Sequence, residues 1–194
     1  MPDWTLEAHA IICREGCIAD ATGRFPDALA NEADWTRFQA ALDDCRAVVL
    51  GRASHEATPN RAGRRRVVVS RTVERLAARP DGLWWNPAGA PLEAALKRVA
   101  PEGGRIGVPG GRGVFDLLLD RIEVFELARH GGVALPGGVP VLAGVGPARP
   151  PEAALAEAGF ARTAVETLDP EAGVLAETWR RAPSGAGPEG AGPQ

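Results

Sequence analysis

Short apolar segments alternate with amphipathic segments along most of the chain. The apolar segments have the length and β-branched content of buried strands, and the amphipathic ones repeat their apolar residues at helical spacing. The predicted strands are residues 6–13, 48–50, 67–69, 83–85, 106–108 and 122–127, and the predicted helices are residues 30–45, 71–78, 92–99 and 114–119. Such alternation predicts an α/β domain with a mostly parallel central sheet and helices on both faces.

The pattern changes after residue 131. Residues 131–151 are rich in Gly and Pro, and residues 152–158 predict a short helix. Two strand-like segments, 160–168 and 173–179, are joined by a turn at Asp169-Pro170, which predicts a terminal antiparallel hairpin.

Two further segments are predicted to lack regular structure. Residues 14–26 contain Gly16, Gly23 and Pro26, which predict a long, mobile loop. Residues 182–194 consist mainly of Pro, Gly, Ala, Ser and Glu, with no apolar side chains large enough for a core, so we expect a disordered tail there. Residues 1–181 are therefore predicted to form a single domain.

Composition narrows the function classes. The 194 residues carry a net charge of -3, which gives no general attraction to nucleic acid. No segment is apolar enough for a membrane helix, and the first residues lack a secretory signal. The three cysteines form no CxxC pair, so neither a disulfide framework nor a metal site is expected. We expect a cytoplasmic protein with reduced thiols and a small-molecule substrate.

Two predicted strands end in glycine and lead directly into the polar start of a helix. They are the segments Val48-Val49-Leu50-Gly51-Arg52-Ala53-Ser54-His55-Glu56 and Ile106-Gly107-Val108-Pro109-Gly110-Gly111-Arg112-Gly113-Val114-Phe115. Such a junction exposes backbone N–H groups to a phosphate. Two of them predict a dinucleotide ligand, whereas the simpler alternatives are a helix cap with a solvated arginine and an ordinary left-handed turn.

The order of several motifs resembles the dihydrofolate reductase-like superfamily. In chain order, the motifs are a first strand, a loop ending in Phe25-Pro26, a helix with an acid four residues before Phe38, the Gly51-Arg52-Ala53-Ser54 turn, the segment Val67-Val68-Val69-Ser70-Arg71 and the Gly110-Gly111 helix start. The resemblance spans residues 8–179 and implies a three-layer fold with a central sheet of about eight strands and a C-terminal antiparallel hairpin. It also implies an NADPH-dependent reductase.

The resemblance assigns cofactor roles to three segments. The first glycine turn matches positions that meet the cofactor phosphates, and the second matches a pair that lets the backbone approach the pyrophosphate and the nicotinamide ribose. The end of the 67–69 strand matches residues near the adenosine 2′-phosphate, whose charge selects NADPH over NADH. The matching positions are Gly51, Arg52, Ser54, Ser70, Arg71, Gly110 and Gly111.

A substrate carboxylate is expected on the 30–45 helix. In dihydrofolate reductases, this carboxylate hydrogen-bonds the amino and ring N–H groups of a pterin. Asp34 has the family's spacing to Phe38 and falls on the apolar face, whereas Glu32 falls at its margin. Asn31-Glu32 also resembles a pair found in some members, so both acids are candidates. The simpler alternative is that both complement the helix N-terminus.

The chain departs from the family in its loop. Asp27 stands where true dihydrofolate reductases have a tryptophan after the loop proline, and residues 19–23 match the Ser-x-Asp-Gly loop of the riboflavin-pathway reductases only loosely. The substrate is therefore expected to be either a pterin or a pyrimidine-type molecule. A second function class, a nucleotide-binding sensor or partner protein without turnover, is an alternative to the reductase. Many riboflavin-pathway reductases dimerise, so a homodimer is also expected. We expect the histidines to have structural roles. Of these, His55 is expected to lie nearest to the cofactor phosphates.

Overall fold

The computed structural model describes residues 2–182. The strands are β1 Trp4–Cys13, β2 Cys17–Ala19, β3 Ala47–Gly51, β4 Arg66–Val69, β5 Leu76–Arg79, β6 Gly82–Trp85, β7 Gly104–Gly110, β8 Ile122–His130, β9 Val139–Pro140, β10 Phe160–Asp169 and β11 Val174–Arg181. The helices are α1 Glu32–Asp43, α2 Arg52–Ala57, α3 Leu92–Val99, α4 Arg112–Leu118 and α5 Pro151–Glu157, and a short 3-10 helix spans Asp27–Leu29.

Nine strands form one mixed sheet in the order β10-β11-β8-β1-β7-β3-β4-β6-β5. The six strands β8, β1, β7, β3, β4 and β6 are parallel neighbours. β11 pairs antiparallel with β8 and β10, and β5 pairs antiparallel with β6. The structure confirms the mostly parallel sheet and the terminal hairpin, with one strand more than expected.

The side chains of the parallel strands alternate between two helical layers. In β1, Leu6, Ala8 and Ile12 belong to the main core, which also contains the buried faces of α3, α4 and α5. Within that core, the ring of Phe125 lies between those of Phe115 and Phe160. The opposite face of the sheet is covered by α1, whose Leu42 packs with strand β3. The predicted helices on both faces are therefore present.

The predicted helix over residues 71–78 is wrong. The chain bends there and forms strand β5, which pairs with β6. Backbone carbonyls of this segment accept hydrogen bonds from outside it. Asn86 donates its side-chain amide to the Val73 carbonyl at 2.9 Å and its backbone N–H to the Arg75 carbonyl at 2.8 Å. These bonds replace the internal ladder that a helix would need.

The predicted loop over residues 14–26 is partly regular. It contains strand β2, which pairs antiparallel with β9 in a separate two-stranded sheet. Cys17 in β2 is buried beside Cys13 and the fully buried Leu29 of the 3-10 helix. This small apolar cluster gives the loop a fixed attachment at both ends. The predicted tail starts at residue 182 and otherwise lies outside the described residues.

Candidate functional site

The two glycine turns lie side by side at one edge of the sheet. Strands β3 and β7 are parallel neighbours, and their register places Leu50 opposite Gly110. Each strand ends at this edge and leads into its own helix, α2 from Gly51 and α4 from Gly111. A side chain at Gly111 would lie 3.8 Å from the Ser54 hydroxyl oxygen. The fold therefore brings the two predicted phosphate sites together.

The second turn has a backbone that requires glycine. Gly110 has a φ of +99°, and a Cβ there would lie 2.5 Å from Cζ of Phe115. Gly111 has a φ of +71° and a ψ of 143°, a conformation essentially restricted to glycine. Gly110 is buried against the Phe115 ring, whereas only the Ser54 hydroxyl lies near the position of a Cβ on Gly111, so a ligand can approach the backbone at Gly111 closely.

The cations expected at the site are exposed. The Arg52 guanidinium lies 3.9 Å from the carboxylate of Glu56, one turn further along α2, in a pair that is too exposed to hold the side chain firmly. Arg71 is exposed and has no ion-pair partner within residues 2–182. It follows β4, whose Val69 pairs with Gly51, so Arg71 lies at the same edge of the sheet as Arg52.

Ser70 is buried and shapes the turn after β4. Its backbone N–H donates to the Trp85 carbonyl at 2.9 Å, and its hydroxyl lies 2.9 Å from the hydroxyl of Thr72. The same Ser70 oxygen accepts the Thr72 N–H at 3.2 Å. Ser70 thereby fixes the backbone that presents Arg71.

Three further arginines lie at the start of β4, at the opposite edge of the sheet: Arg64 and Arg65 precede the strand and Arg66 is its first residue. Arg64 pairs with Asp43, and Arg65 donates to the Val99 carbonyl at 2.9 Å. Arg66 is buried and donates to the Thr58 carbonyl at 2.8 Å. These contacts give the three residues structural roles.

The structure separates the two candidate carboxylates on α1. Glu32 is exposed, whereas Asp34 is half-buried. Burial raises the pKa of Asp34 to about 6, against a smaller opposing effect of the Arg37 charge. Its carboxylate has no hydrogen-bond or ion-pair partner in the part of the chain that the structure describes. A desolvated, unpartnered acid of this kind is suited to bind the N–H groups of a substrate.

The start of α1 is fixed by hydrogen bonds. Asn31 caps the helix by accepting the backbone N–H of Asp34 at 3.1 Å. Its amide donates to the carboxylate of Asp169, in the turn of the terminal hairpin, at 2.8 Å. The helix turn that carries Asp34 is therefore tied to the hairpin.

A polar layer that the sequence did not predict lies beneath α1. His9 is only 5% exposed, its Nε2 has no partner among the described residues, and its ring packs edge-on against Phe38 at 6.0 Å. Burial lowers the pKa of His9 to about 4. Beside it, Arg37 donates to Glu126 at 2.6 Å, and Glu126 also accepts from the Thr178 hydroxyl. His9 follows the core residue Ala8 along β1, so its side chain points to the opposite face of the sheet, which α1 covers. This alternation is the sequence signal that could have placed His9 under α1.

His55 lies away from the expected phosphates. Its ring points toward the β5–β6 turn, where Nε2 lies 2.9 Å from the carboxylate of Asp81. Nδ1 lies 3.1 Å from the guanidinium of Arg66. The sequence could not show this cluster, because its members come from three separate elements.

The loop before α1 is built around Asp20. Its carboxylate accepts the Thr22 N–H at 2.8 Å, the Thr22 hydroxyl at 2.6 Å and the Arg24 N–H at 3.1 Å. These contacts form an Asx turn. Asp27, at the position of the missing tryptophan, starts the 3-10 helix.

The surface also carries a groove that lies away from the glycine turns. A groove of about 330 Å³, lined in part by Thr5, Glu123 and Arg180, lies at the amino end of β1, the sheet edge opposite the glycine turns. Among residues 2–182 no helix has the length and apolarity needed to cross a membrane, and no cluster of metal-ligating side chains is present.

Comparisons with known proteins identify the fold. No family model and no curated protein matches the sequence. Among solved structures, dihydrofolate reductase from Enterococcus faecalis complexed with NADP(H) is 19% identical with a TM-score of 0.63, covering 91% of this chain and 96% of the reductase. A protein assigned to riboflavin biosynthesis from Shewanella sp. PV-4 is 17% identical with a TM-score of 0.66, covering 92% of this chain and 99% of that protein.

A bifunctional protein from Thermotoga maritima is also similar. It is a diaminohydroxyphosphoribosylaminopyrimidine deaminase and 5-amino-6-(5-phosphoribosylamino)uracil reductase. It is 16% identical with a TM-score of 0.66, and the match covers 93% of this chain but only 57% of the bifunctional protein. The sheet order, the terminal hairpin and these three likenesses together show that the chain has the dihydrofolate reductase-like fold.

Proposed function

We propose that the protein is an NADPH-dependent reductase that transfers hydride to a pterin or a pyrimidine-type small molecule. The observation that carries this proposal is the juxtaposition of the two glycine turns, with Gly111 adjacent to Ser54. Similar folds in dihydrofolate reductase, complexed with NADP(H), and in the riboflavin-pathway reductase support it.

The residues at this edge fit a dinucleotide. The space beside Gly110 is filled by the Phe115 ring, so Gly110 contributes its backbone conformation. The bare backbone at Gly111 leaves room for a pyrophosphate, because a Cβ there would meet only the Ser54 hydroxyl at 3.8 Å. The Ser54 hydroxyl is a donor beside that space, and Arg52 and Arg71 provide exposed cations. NADPH, when bound, supplies the hydride. The protein's contribution is to hold the phosphates and to orient the reacting rings.

Asp34 is the proposed substrate carboxylate, and Glu32 is the second candidate. The ionised Asp34 accepts hydrogen bonds from amino and ring N–H groups, which orients a pterin or pyrimidine ring. Because burial raises the pKa of Asp34 to about 6, the group can also hold a proton near neutral pH. Glu32 is exposed.

Turnover tests the substrate assignment. Loss of NADPH absorbance is measured with dihydrofolate and, separately, with the riboflavin-pathway pyrimidine. We expect the wild type to reduce one of them, Asp34→Asn to lose most activity, and Glu32→Gln to retain it. Full activity of Asp34→Asn with the true substrate would transfer the role to Glu32.

A second candidate function is a nucleotide-binding sensor or partner protein without turnover. Asp27 favours it, because true dihydrofolate reductases have a tryptophan there. This candidate predicts saturable NADPH binding with no reduction of either substrate. The two candidates therefore differ in turnover and agree in binding.

A homodimer and a cytoplasmic location remain predictions. Strand β10 lies at the edge of the sheet, and residues 161–167 are exposed, including Val165 at 54%. An unpaired strand edge of this length can pair with a second copy. Light scattering of the purified protein should give twice the monomer mass if the dimer forms, and the monomer mass if it does not.

A further inference from the structure

Helix α2 carries two of the proposed cofactor residues but has little packing of its own. It contains six residues, and none of them is buried as a whole. Arg52 and Ser54 lie on this helix, and Ser54 faces Gly111 across the two turns. Since apolar packing normally supplies most of a helix's stability in a protein, another contact must hold α2 on the sheet.

The side chain of His55 provides that contact. Although no residue of the helix is buried as a whole, the ring of His55 is only 8% exposed and meets the ring of Trp84 edge-on at 5.9 Å. Arg66 can only donate hydrogen bonds, so its contact at 3.1 Å makes Nδ1 of His55 the acceptor. The proton is then on Nε2, which donates to Asp81 at 2.9 Å.

The partners of His55 are themselves fixed. The second carboxylate oxygen of Asp81 accepts the indole N–H of Trp84 at 3.0 Å. Arg66 also donates to the carbonyl of Thr58, which ends α2. We call the four side chains His55, Arg66, Asp81 and Trp84 the His55 cluster. It joins α2 to strand β4 and to the β5–β6 turn through hydrogen bonds to charged groups.

We infer that His55 is a positioning residue for the cofactor site. It holds α2 on the sheet, so that Arg52 and Ser54 keep their place relative to Gly111, and it touches neither the cofactor nor the substrate itself. This inference rests on the proposed function, because it concerns the same dinucleotide site. The structural contact and its effect on binding can nevertheless be measured separately.

Two substitutions distinguish the contribution of the packed ring of His55 from the contribution of its hydrogen bonds. His55→Phe keeps an aromatic ring against Trp84 but leaves Arg66 and Asp81 without their partner. His55→Gln keeps one acceptor and one donor on the same side chain. If the hydrogen bonds position α2, we expect His55→Phe to raise the Kd for NADPH about tenfold and His55→Gln to stay within about threefold of the wild type.

Calorimetric titration with NADPH and amide hydrogen exchange over residues 52–57 provide the two readouts. We expect faster exchange in α2 of His55→Phe even without NADPH, because the helix is less firmly held. Asp81→Ala is a second variant at an exposed position, where a folding failure is not expected, and it should change both readouts in the same direction.

The outcomes distinguish the two proposals. If the wild type binds no NADPH, the proposed function fails, whereas faster exchange in His55→Phe would still support the anchoring of α2. If the wild type binds NADPH and both His55→Phe and Asp81→Ala bind it with unchanged Kd, the inference is wrong. It is equally wrong if His55→Gln weakens binding as much as His55→Phe does.

Discussion

Replacing Asp34 with Asn is expected to stabilise the protein above pH 7 while removing its proposed substrate group. The half-buried carboxylate has no partner within the described chain, and burial raises its pKa from 3.8 to about 6. A carboxyl whose pKa is higher in the folded state costs stability once it ionises, because the unfolded chain loses its proton more easily. Asn keeps the shape of the side chain and cannot ionise.

The magnitude follows from this shift and from two opposing effects. A difference of two pKa units corresponds to about 3 kcal/mol. Partial solvent screening reduces this value, and the loss of a negative charge in the first turn of α1 removes about 0.5 kcal/mol of favourable interaction. Burial therefore outweighs the helix effect, and we expect Asp34→Asn to gain about 2 kcal/mol in free energy of unfolding at pH 8.

Urea unfolding at several pH values between 4 and 8 tests this prediction. The gain should be nearly complete above pH 6, should shrink as pH falls toward 3.8 and should vanish below that value, where the carboxyl is protonated in both states. Glu32→Gln is the matched control, because Glu32 is exposed on the same helix turn, and we expect a change below about 0.5 kcal/mol. An Asp34→Asn protein that is no more stable at pH 8, or equally stabilised at pH 4, would show that burial of the ionised carboxylate does not cost stability.

Three further predictions concern buried or backbone groups. Burial lowers the pKa of His9 from 6.5 to about 4, so the unfolded state binds a proton before the folded state does as pH falls below 6.5. Between pH 6.5 and pH 4 this difference should lower the free energy of unfolding by about 3 kcal/mol. Urea unfolding of His9→Phe should show no such loss. Gly111→Ala should raise the Kd for NADPH at least tenfold, whereas Gly113→Ala, which has open space around it, should leave the titration unchanged. Gly110→Ala should lower the thermal midpoint, because its Cβ would collide with Phe115, and an unchanged midpoint would contradict the backbone described here.

Much of the fold could be predicted from local sequence pattern. The buried strands 48–50, 67–69 and 106–108 are apolar on both faces, as central parallel strands are, and each was found where the pattern indicated. The predicted helix over residues 71–78 was wrong because the hydrogen-bond partners of this segment come from Asn86 and from β6, which a local pattern cannot reveal. Strand pairing at an edge depends on distant residues more than on the segment itself.

The candidate site was predictable to a smaller extent. The glycine turns could be found because a strand ending in glycine before a helix is a local signal, but their mutual approach depends on β3 and β7 being neighbours. Helical spacing favoured Asp34 over Glu32, and burial in the folded chain separated them further. The His55 cluster could not be predicted, because its charged partners, Arg66 in β4 and Asp81 in the β5–β6 turn, meet His55 only in the folded chain.

The proposed reductase requires that the two adjacent glycine turns bind the phosphates of NADPH. Titration of the purified protein with NADPH and, separately, with NADH, followed by quenching of its tryptophan fluorescence, tests this requirement most directly. We expect saturable micromolar binding that favours NADPH. Binding of neither nucleotide would mean that both glycine turns are structural, and the reductase proposal would then be wrong.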